Sequence, residues 1–329
     1  MTAHHDSELL RVQDLKKYFP VRGGWLRRVV GQVRAVDGVS LTVGTGQTFG
    51  LVGESGCGKS TLGRAILRLQ EPTAGQVYLE GVEITALSRK EMLAQRRRMQ
   101  VIFQDPFASL SPRRTVAQTI REPLDVHAIG TRAERESRVA ELLDVVGMSS
   151  RVQDRYPHEF SGGQRQRIGI ARALTLNPRF IVADEPVSAL DVSVQSQVLN
   201  LIASLQRDHG IAFLFISHDL AVIQHVSDEI GVMYLGRLVE LASARDLYET
   251  PKHPYTRALL SAIPVPDPKS RRKRIVLAGE VPSPMNPPGG CPFHPRCPEA
   301  KAVCSAQPPQ TVDVGTSGQR HQVACHLYS

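Results

Sequence analysis

Short apolar runs alternate with helix-patterned segments along the first two thirds of the chain. The run TFGLVG (48–53) leads into a glycine-rich turn, which is typical of a buried strand. The runs RFIVADEP (179–186) and IAFLFISHD (211–219) each end in polar residues, and the segment 192–210 between them has apolar positions at helical spacing and closes at Gly210. The order strand, helix, strand predicts an α/β domain with a largely parallel sheet, whose carboxyl edge carries functional residues.

Two further stretches depart from this pattern. Charged segments with helical spacing, such as KEMLAQRRRM and AERESRVAELLDVVGM, fill the region from about residue 90 to 156, so we expect a helical subdomain inserted roughly over 90–165. After about Leu241 prolines accumulate, which disfavours regular helices and predicts a loop-rich C-terminal extension over 241–329. Residues 1–240 are then expected to form the main domain.

Length and composition limit the class of protein. At 329 residues the chain suits one large domain with an appendage. Its apolar runs are far shorter than the roughly 18 to 20 residues that cross a bilayer, and its N-terminal segment does not resemble a secretory signal. We therefore expect the protein to be made and retained in the cytoplasm. The net charge of +8 suits phosphate-rich ligands, lipid or nucleic acid, but it selects none of them.

The segment GESGCGKST fits the phosphate-binding pattern G-x-x-x-x-G-K-[ST] between a predicted strand and a predicted helix. In such a loop, glycines let the backbone wrap around phosphate oxygens, and N–H groups point inward at the positive end of the helix. Lys59 is expected to reach the β and γ phosphates, and Ser60 to offer its hydroxyl to Mg²⁺. The expected contacts are Gly53, Glu54, Ser55, Gly56, Cys57, Gly58, Lys59, Ser60 and Thr61.

The strand at 180–183 ends in a pair of carboxylates. Asp184 is expected to hold Mg²⁺, directly or through water, and Glu185 to orient the attacking water as a catalytic residue. The chain contains no N-K-x-D, the element that usually reads guanine, so ATP is favoured as the nucleotide.

The segment FSGGQRQR (160–167) opens a predicted helix and supplies a second anion-binding element. One chain could hardly fold both elements onto one phosphate, whereas two chains facing head to tail could share them. At these residues the sequence closely resembles the ATP-binding subunits of ABC transporters, whose signature reads LSGGQ, with Phe160 in place of the leucine. The resemblance implies a P-loop ATPase fold, and that Ser161, Gly162, Gly163 and Gln164 contact the nucleotide of the opposing subunit.

The same resemblance assigns four further residues. Gln104, in VIFQDP, resembles the glutamine that senses Mg²⁺ and the γ-phosphate and touches the membrane subunits. His218, in ISHDL, resembles the switch histidine that contacts the γ-phosphate in catalysis, and Asp191, in SALD, the aspartate that communicates across the dimer. Phe19 stands where an aromatic ring stacks on adenine, with Tyr18 as its neighbour.

The stretches QDPFASLSPR (104–113) and HPYTRALLSAIP (253–264), with the proline-rich cysteine tail, are similar to the oligopeptide and dipeptide importer branch. This branch implies a peripheral ATPase on the cytoplasmic face of the membrane. The chain resembles the second of two paralogous ATPase subunits, which form a heterodimer beneath two permease subunits and are served indirectly by a solute-binding protein. Import of nickel or another small solute is an alternative. A soluble ATPase acting on nucleic acid is disfavoured, since the chain has one phosphate loop and no long coiled coil.

The C-terminal cysteines follow the spacing C-x5-C-x6-C-x20-C: Cys291, Cys297, Cys304 and Cys325. A reducing compartment disfavours disulfides, and zinc ligands are usually spaced more closely, but zinc, an iron-sulfur cluster and free thiols all remain open from the spacing. A similar tail in some peptide-importer ATPases is associated with a [4Fe-4S] cluster, so the resemblance favours that cofactor. Nearby histidines that could replace a cysteine are His294, His321 and His326.

Overall fold

The computed structural model describes residues 8–23, 28–263, 274–316 and 319–329, which form two compact units. The first, here called the central unit, comprises Gly44–Gln47 and Ala86–Ile216. The second, here called the phosphate-loop unit, comprises the described parts of Glu8–Val43, Thr48–Thr85 and Ser217–Ser329. Within the described ranges, no helix combines the length and the apolar character needed to cross a membrane.

The strands are, in chain order, β1 (Glu8–Gly23), β2 (Arg28–Gly44), β3 (Thr48–Val52), β4 (Ala74–Leu79), β5 (Val82–Glu83), β6 (Met99–Ile102), β7 (Phe180–Asp184), β8 (Ala212–Ile216), β9 (Glu229–Tyr234), β10 (Arg237–Ser243), β11 (Thr311–Asp313) and β12 (His321–Ala324).

The α-helices are α1 (Lys59–Ile66), α2 (Arg89–Gln95), α3 (Pro106–Ser109), α4 (Val116–Val126), α5 (Arg132–Val145), α6 (Gly162–Leu174), α7 (Val192–His209), α8 (Leu220–Val226), α9 (Ala244–Glu249), α10 (Pro254–Ser261) and α11 (Ala302–Ala306). Short 3₁₀ turns occur at Ser150–Val152, Pro157–Glu159 and His294–Arg296.

The central unit contains three parallel strands in the order β8-β7-β6. The strands β7 and β8 are buried at every position, which explains their uninterrupted apolar sequence. The helix α7 begins after Asp191 and ends at Gly210, whose φ of 63° is the left-handed conformation that favours glycine at a helix end. These elements confirm the sequence prediction. Strand β6 was not predicted, because its four residues follow a strongly basic stretch inside the charged, helix-patterned region.

The phosphate-loop unit contains two sets of strands. One has the order β2-β1-β4-β5, in which β4 is antiparallel to both β1 and β5, with Leu10 opposite Leu79 and Val12 opposite Val77. The other runs β11-β12-β10-β9-β3, in which β3 and β9 are parallel and the remaining pairs are antiparallel. The C-terminal strands therefore extend this sheet, so the end of the chain is part of the fold of the unit.

The prediction that regular helices are disfavoured beyond Leu241 was wrong for the segment 244–261, which forms α9 and α10. Ser243 caps α9, since its hydroxyl accepts the N–H of Asp246. Pro254 occupies the first turn of α10, where a missing N–H costs nothing, and His253 Nδ1 accepts the N–H of Tyr255. Proline thus begins this helix instead of breaking it.

A buried polar cluster ties β10, α10 and β12 together. Glu240 is almost completely buried; its carboxylate accepts the N–H groups of Lys252 and His253 at 2.6 and 2.9 Å, and lies 2.7 Å from Nε2 of His321. Burial alone would raise the pKa of Glu240, but these hydrogen bonds outweigh it and lower the pKa. Burial also lowers the pKa of His253 to about 4, so this ring is neutral at neutral pH.

Acid should destabilise the phosphate-loop unit through His253. Below the ordinary histidine pKa of about 6.5, His253 is protonated in the unfolded chain, whereas in the folded chain it is protonated only below about pH 4. The free energy of unfolding should therefore fall by about 3 kcal/mol as the pH is lowered across that interval. The lowered pKa of Glu240 acts in the same direction, since stability present above its unfolded pKa is lost as the pH falls further.

Denaturant unfolding at neutral and acidic pH, followed by circular dichroism, measures this loss. His253→Asn is the matched variant, because asparagine can still cap α10 but does not titrate. The loss on acidification should be smaller in the variant than in the wild type by about 3 kcal/mol. An equal loss in the two proteins would contradict the assignment.

Candidate nucleotide site

The phosphate loop connects the carboxyl end of β3 to the first residue of α1. Gly53 and Gly58 have φ values of 154° and 109°. A Cβ atom at Gly53 would lie 2.2 Å from the carbonyl oxygen of Met233, and one at Gly58 would lie 1.9 Å from that of Ala35. Only glycine fits at either position, so the backbone itself comes close to its neighbours here. The predicted strand-loop-helix setting of the phosphate pattern is confirmed.

Lys59 is the first residue of α1, and the residue is 5% exposed. Its Nζ donates to the carbonyl oxygens of Gly53 and Glu54 at 2.7 and 3.1 Å, so the loop holds the ammonium group against its own backbone. Ser60 and Thr61 follow in the first turn of α1, and the N-terminus of a helix favours an anion. A positive charge and a helix N-terminus therefore coincide, which fits the phosphates of a nucleotide.

Cys57 fills space inside this loop. Its side chain is buried, and burial raises the pKa of the thiol, so it is neutral at neutral pH. Ser55 and Gly56 are exposed on the outer side of the loop, and Gly56 adopts the left-handed conformation with φ of 78°.

In the central unit, Asp184 and Glu185 lie at the carboxyl end of β7, as predicted. Asp184 is buried, whereas Glu185 is partly exposed and has φ of 49°, a conformation that costs a non-glycine residue of order 1 kcal/mol. Its N–H donates to the carbonyl oxygen of Ile216 at 3.0 Å, and its carboxylate accepts a hydrogen bond from Nε2 of Gln104 at 3.0 Å. The structure thus brings together two residues that are 81 positions apart in the sequence.

The signature segment forms the N-terminus of α6. Ser161 is the N-cap, and it forms a reciprocal capping box with Gln164: the hydroxyl of Ser161 accepts the N–H of Gln164, and the amide oxygen of Gln164 accepts the N–H of Ser161. Gly162 and Gly163 form the first turn, and a Cβ atom at Gly163 would lie 2.2 Å from Cγ1 of Val194. The predicted helix start is confirmed.

The remaining predicted site residues occupy varied positions. His218 is exposed directly before Asp219, the N-cap of α8, and Asp191 is the exposed N-cap residue of α7. Phe19 lies in β1 with Nζ of Lys17 5.0 Å from the centre of its ring, so its face is next to a cation. The hydroxyl of the neighbouring residue Tyr18 donates a hydrogen bond to Asp37, so the Tyr18 ring is held by a contact within the protein.

The prediction of an iron-sulfur cluster was wrong, and the zinc alternative has no support either. Across the described ranges, which include all four C-terminal cysteines, no group of three or more His, Cys, Asp or Glu side chains is arranged to hold a metal ion. The thiols of Cys291, Cys297, Cys304 and Cys325 are free.

Burial raises the pKa of the Cys291 thiol to about 11 and also raises the pKa values of Cys297 and Cys325. The nearby histidines have other partners: Nδ1 of His294 lies 2.9 Å from the carbonyl oxygen of Cys291, and Nε2 of His326 lies 2.9 Å from that of Gln307. The loops that carry the cysteines are joined by hydrogen bonds between backbone groups, such as the one from the Cys291 N–H to the Cys304 carbonyl oxygen at 2.7 Å.

Sequence reasoning missed two residues that contact the phosphate loop. Arg296 forms an ion pair with the side chain of Glu54, and the hydroxyl of Tyr255 accepts the N–H of Glu54. Tyr255 belongs to the stretch HPYTRALLSAIP and Arg296 to the cysteine tail. Both stretches indicate the peptide-importer branch, but neither residue is predicted from the sequence to lie at the nucleotide site. No local pattern could have indicated contacts across 201 and 242 positions.

Comparison with known proteins identifies the family. The ABC transporter family profile matches residues 36–188, and the profile of the oligopeptide/dipeptide transporter C-terminal region matches residues 239–304. The chain is 55% identical to the oligopeptide transport ATP-binding protein AppF of Bacillus subtilis, with all of both chains covered. It is 53% identical to a probable peptide ABC transporter ATP-binding protein of Sinorhizobium fredii, covering 97% of this chain and 90% of the relative.

Solved structures of ABC transporter ATPases have the same fold as this chain. A dimeric ATP-binding cassette in a post-hydrolysis state, bound to ADP and Pi, matches with a TM-score of 0.64 and 28% identity over 72% of this chain and 99% of that one. The protein cbiO1 of Clostridium perfringens, described as part of an ABC transporter complex, matches with a TM-score of 0.64 and 25% identity over 75% of this chain and 93% of that one. The P-loop ATPase fold class inferred from the sequence is confirmed. The chain therefore belongs to the ABC transporter family of ATPases and carries the C-terminal region of the oligopeptide/dipeptide transporters.

Proposed function

We propose that the chain is the ATP-hydrolysing subunit of a membrane importer that takes up di- and oligopeptides. The observation that carries the proposal is the end-to-end match to a protein named an oligopeptide transport ATP-binding protein. The match of residues 239–304 to the C-terminal region of oligopeptide/dipeptide transporters supports the same substrate class. In this proposal residues 1–240 are the nucleotide-binding domain and residues 241–329 are the transporter-specific extension.

The phosphate-loop unit binds the triphosphate. The loop from Gly53 to Thr61 surrounds it with backbone N–H groups, and Lys59 compensates the charge of the β and γ phosphates. Because Lys59 is buried, its charge acts in a medium of low dielectric, where it stabilises phosphate charge more strongly than it would in water. Phe19 offers a ring face for the adenine.

Both units contain donors of the kind that Mg²⁺ prefers, which is oxygen in hydroxyl, carboxylate and amide groups. In the phosphate-loop unit the donor is Ser60, and in the central unit the donors are Asp184 and Gln104. The bound ion would neutralise charge on the phosphate oxygens. Asp184 fits this role because a buried carboxylate is stabilised by a cation.

Glu185 orients the attacking water and polarises it. The hydrogen bond from Gln104 fixes the direction of its carboxylate, so that a residue sensitive to the nucleotide also sets the geometry of the catalytic group. His218, exposed before α8, contacts the γ-phosphate in this scheme.

Two ATPase subunits share each nucleotide. Ser161, Gly162, Gly163 and Gln164 bind the phosphates held by the opposing subunit, and Asp191 communicates across that interface. The opposing subunit is a paralogue of this chain, and the pair acts beneath two permease subunits that receive peptide from a solute-binding protein. The ATPase pair is then peripheral, on the cytoplasmic face of the membrane.

Uptake by cells tests the substrate and the assembly together. In a strain without other peptide importers, deletion of this chain should abolish uptake of a labelled tripeptide and leave nickel uptake unchanged, and the wild-type chain should restore it. The tagged chain should also co-purify from detergent-solubilised membranes with a second ATPase and two hydrophobic subunits. Loss of nickel uptake with intact peptide uptake would overturn the peptide assignment.

A further inference from the structure

The C-terminal extension reaches the phosphate loop through a paired arginine. Nη1 of Arg296 lies 2.8 Å from Oε2 of Glu54, and Nη2 lies 3.1 Å from Oε1, so the guanidinium meets the carboxylate with two parallel hydrogen bonds. The side chain of Arg296 is 7% exposed and that of Glu54 28%. This ion pair is therefore mostly shielded from solvent, unlike most ion pairs on the surface.

A second contact holds the backbone of the same loop residue. The N–H of Glu54 donates to the hydroxyl of Tyr255 at 2.9 Å, and Tyr255 is completely buried in α10. Two separate segments of the extension therefore contact Glu54: Arg296 binds its side chain, and Tyr255 binds its main chain.

A cluster of aromatic rings and one histidine ring supports both contacts with Glu54. Phe293 is buried, with its ring centre 5.3 Å from that of Tyr234, 5.4 Å from that of Tyr255 and 5.5 Å from that of His253. Phe293 leads directly into the 3₁₀ turn His294–Arg296, so packing of the rings fixes the backbone that presents Arg296.

The pair matters for a phosphate site because of its charge. Glu54 places a carboxylate in a loop that has to accept an anion, and an unpaired carboxylate there would oppose binding. The carbonyl oxygen of Glu54 also accepts a hydrogen bond from Nζ of Lys59. A displacement of Glu54 would therefore also move the group that orients the phosphate-binding lysine.

We propose that Arg296 of the C-terminal extension is a positioning residue for ATP: it neutralises Glu54 and fixes the phosphate loop in the form that accepts the triphosphate. The extension is thereby part of the nucleotide site, acting through Glu54 and with Tyr255 as its second hold. This inference rests on the proposed role of the loop in ATP binding.

Equilibrium titration of the full-length chain with a fluorescent, slowly hydrolysed ATP analogue tests the inference. Arg296→Ala should raise the Kd about tenfold, since it leaves the Glu54 carboxylate without its partner, and Arg296→Lys should raise it about threefold, since it keeps the charge but loses the paired geometry. The double variant Arg296→Ala with Glu54→Gln should return to within about threefold of the wild type, because a neutral glutamine needs no counter-charge. A purely structural arginine would not give this rescue.

Glu299→Gln is the matched control, because it removes an ion pair of the same extension, Arg257–Glu299 at 2.8 Å, that does not involve the loop. Its Kd should equal that of the wild type. A wild-type Kd in Arg296→Ala, or a double variant as weak as the single one, would overturn the inference. If Arg296→Ala fails to fold, Arg296→Lys decides by the same comparison, and an unchanged Kd there overturns the inference too. A wild-type chain that bound no nucleotide would instead refute the role of the loop itself.

Discussion

Replacing Glu185 with glutamine should slow ATP hydrolysis by the assembled transporter at least about a hundredfold and leave the affinity for ATP within about threefold of the wild-type value. Glutamine has nearly the same shape and can still meet Gln104, but it has no negative charge with which to polarise a water molecule. The loss therefore falls on the chemical step. Because the γ-phosphate would remain in place, ATP should also keep the two ATPase subunits associated for longer.

Phosphate release at saturating ATP and binding of a fluorescent ATP analogue separate the two effects. Glu136→Gln is the matched control in the same unit, because the carboxylate of Glu136 is exposed and pairs with Arg132 at 2.8 Å. This control should hydrolyse ATP at the wild-type rate. Full hydrolysis by the Glu185→Gln protein would show that another group orients the water.

The parts of the fold that could be predicted from the sequence are those whose pattern is set locally. Strands β3, β7 and β8 are buried at every position, so their apolar runs are unbroken, and Gly210 marks the end of α7 because glycine adopts the left-handed conformation readily. The long strands β1 and β2 mix exposed and buried positions without strict alternation, so no simple period identifies them.

The candidate site was predictable to the extent that its chemistry lies in contiguous motifs. A loop that binds phosphate needs its glycines and lysine within a few residues, so the segment from Gly53 to Thr61 is recognisable without a fold. The cysteine tail was misinterpreted for the opposite reason. Spacing along the chain does not determine whether four thiols converge on a metal, and among the described residues these side chains form no metal-binding group. Two contacts of the site form only on folding, so no local sequence pattern indicates them. They are the hydrogen bond between Gln104 and Glu185 and the ion pair between Arg296 and Glu54.

Replacing Lys59 with methionine should weaken ATP binding about a hundredfold and bring hydrolysis below detection. Methionine has a similar length, so it fills the buried channel that the lysine stem occupies, but it cannot compensate the charge of the phosphates. The carbonyl oxygens of Gly53 and Glu54 also lose their donor, so the loop should bind the triphosphate less well even where its backbone N–H groups remain. Titration with the same fluorescent ATP analogue measures the affinity.

Arg64→Ala is the matched control for Lys59→Met, because it removes an exposed positive charge from the last turn of the same helix. If net charge near α1 were what attracts the nucleotide, the two variants would lose affinity to a similar extent. If the buried ammonium acts at short range, only the methionine variant should lose it. Read together with Glu185→Gln, which should bind ATP without turning it over, Lys59→Met separates binding from chemistry. Wild-type affinity in Lys59→Met would mean that the phosphates lie somewhere other than this loop.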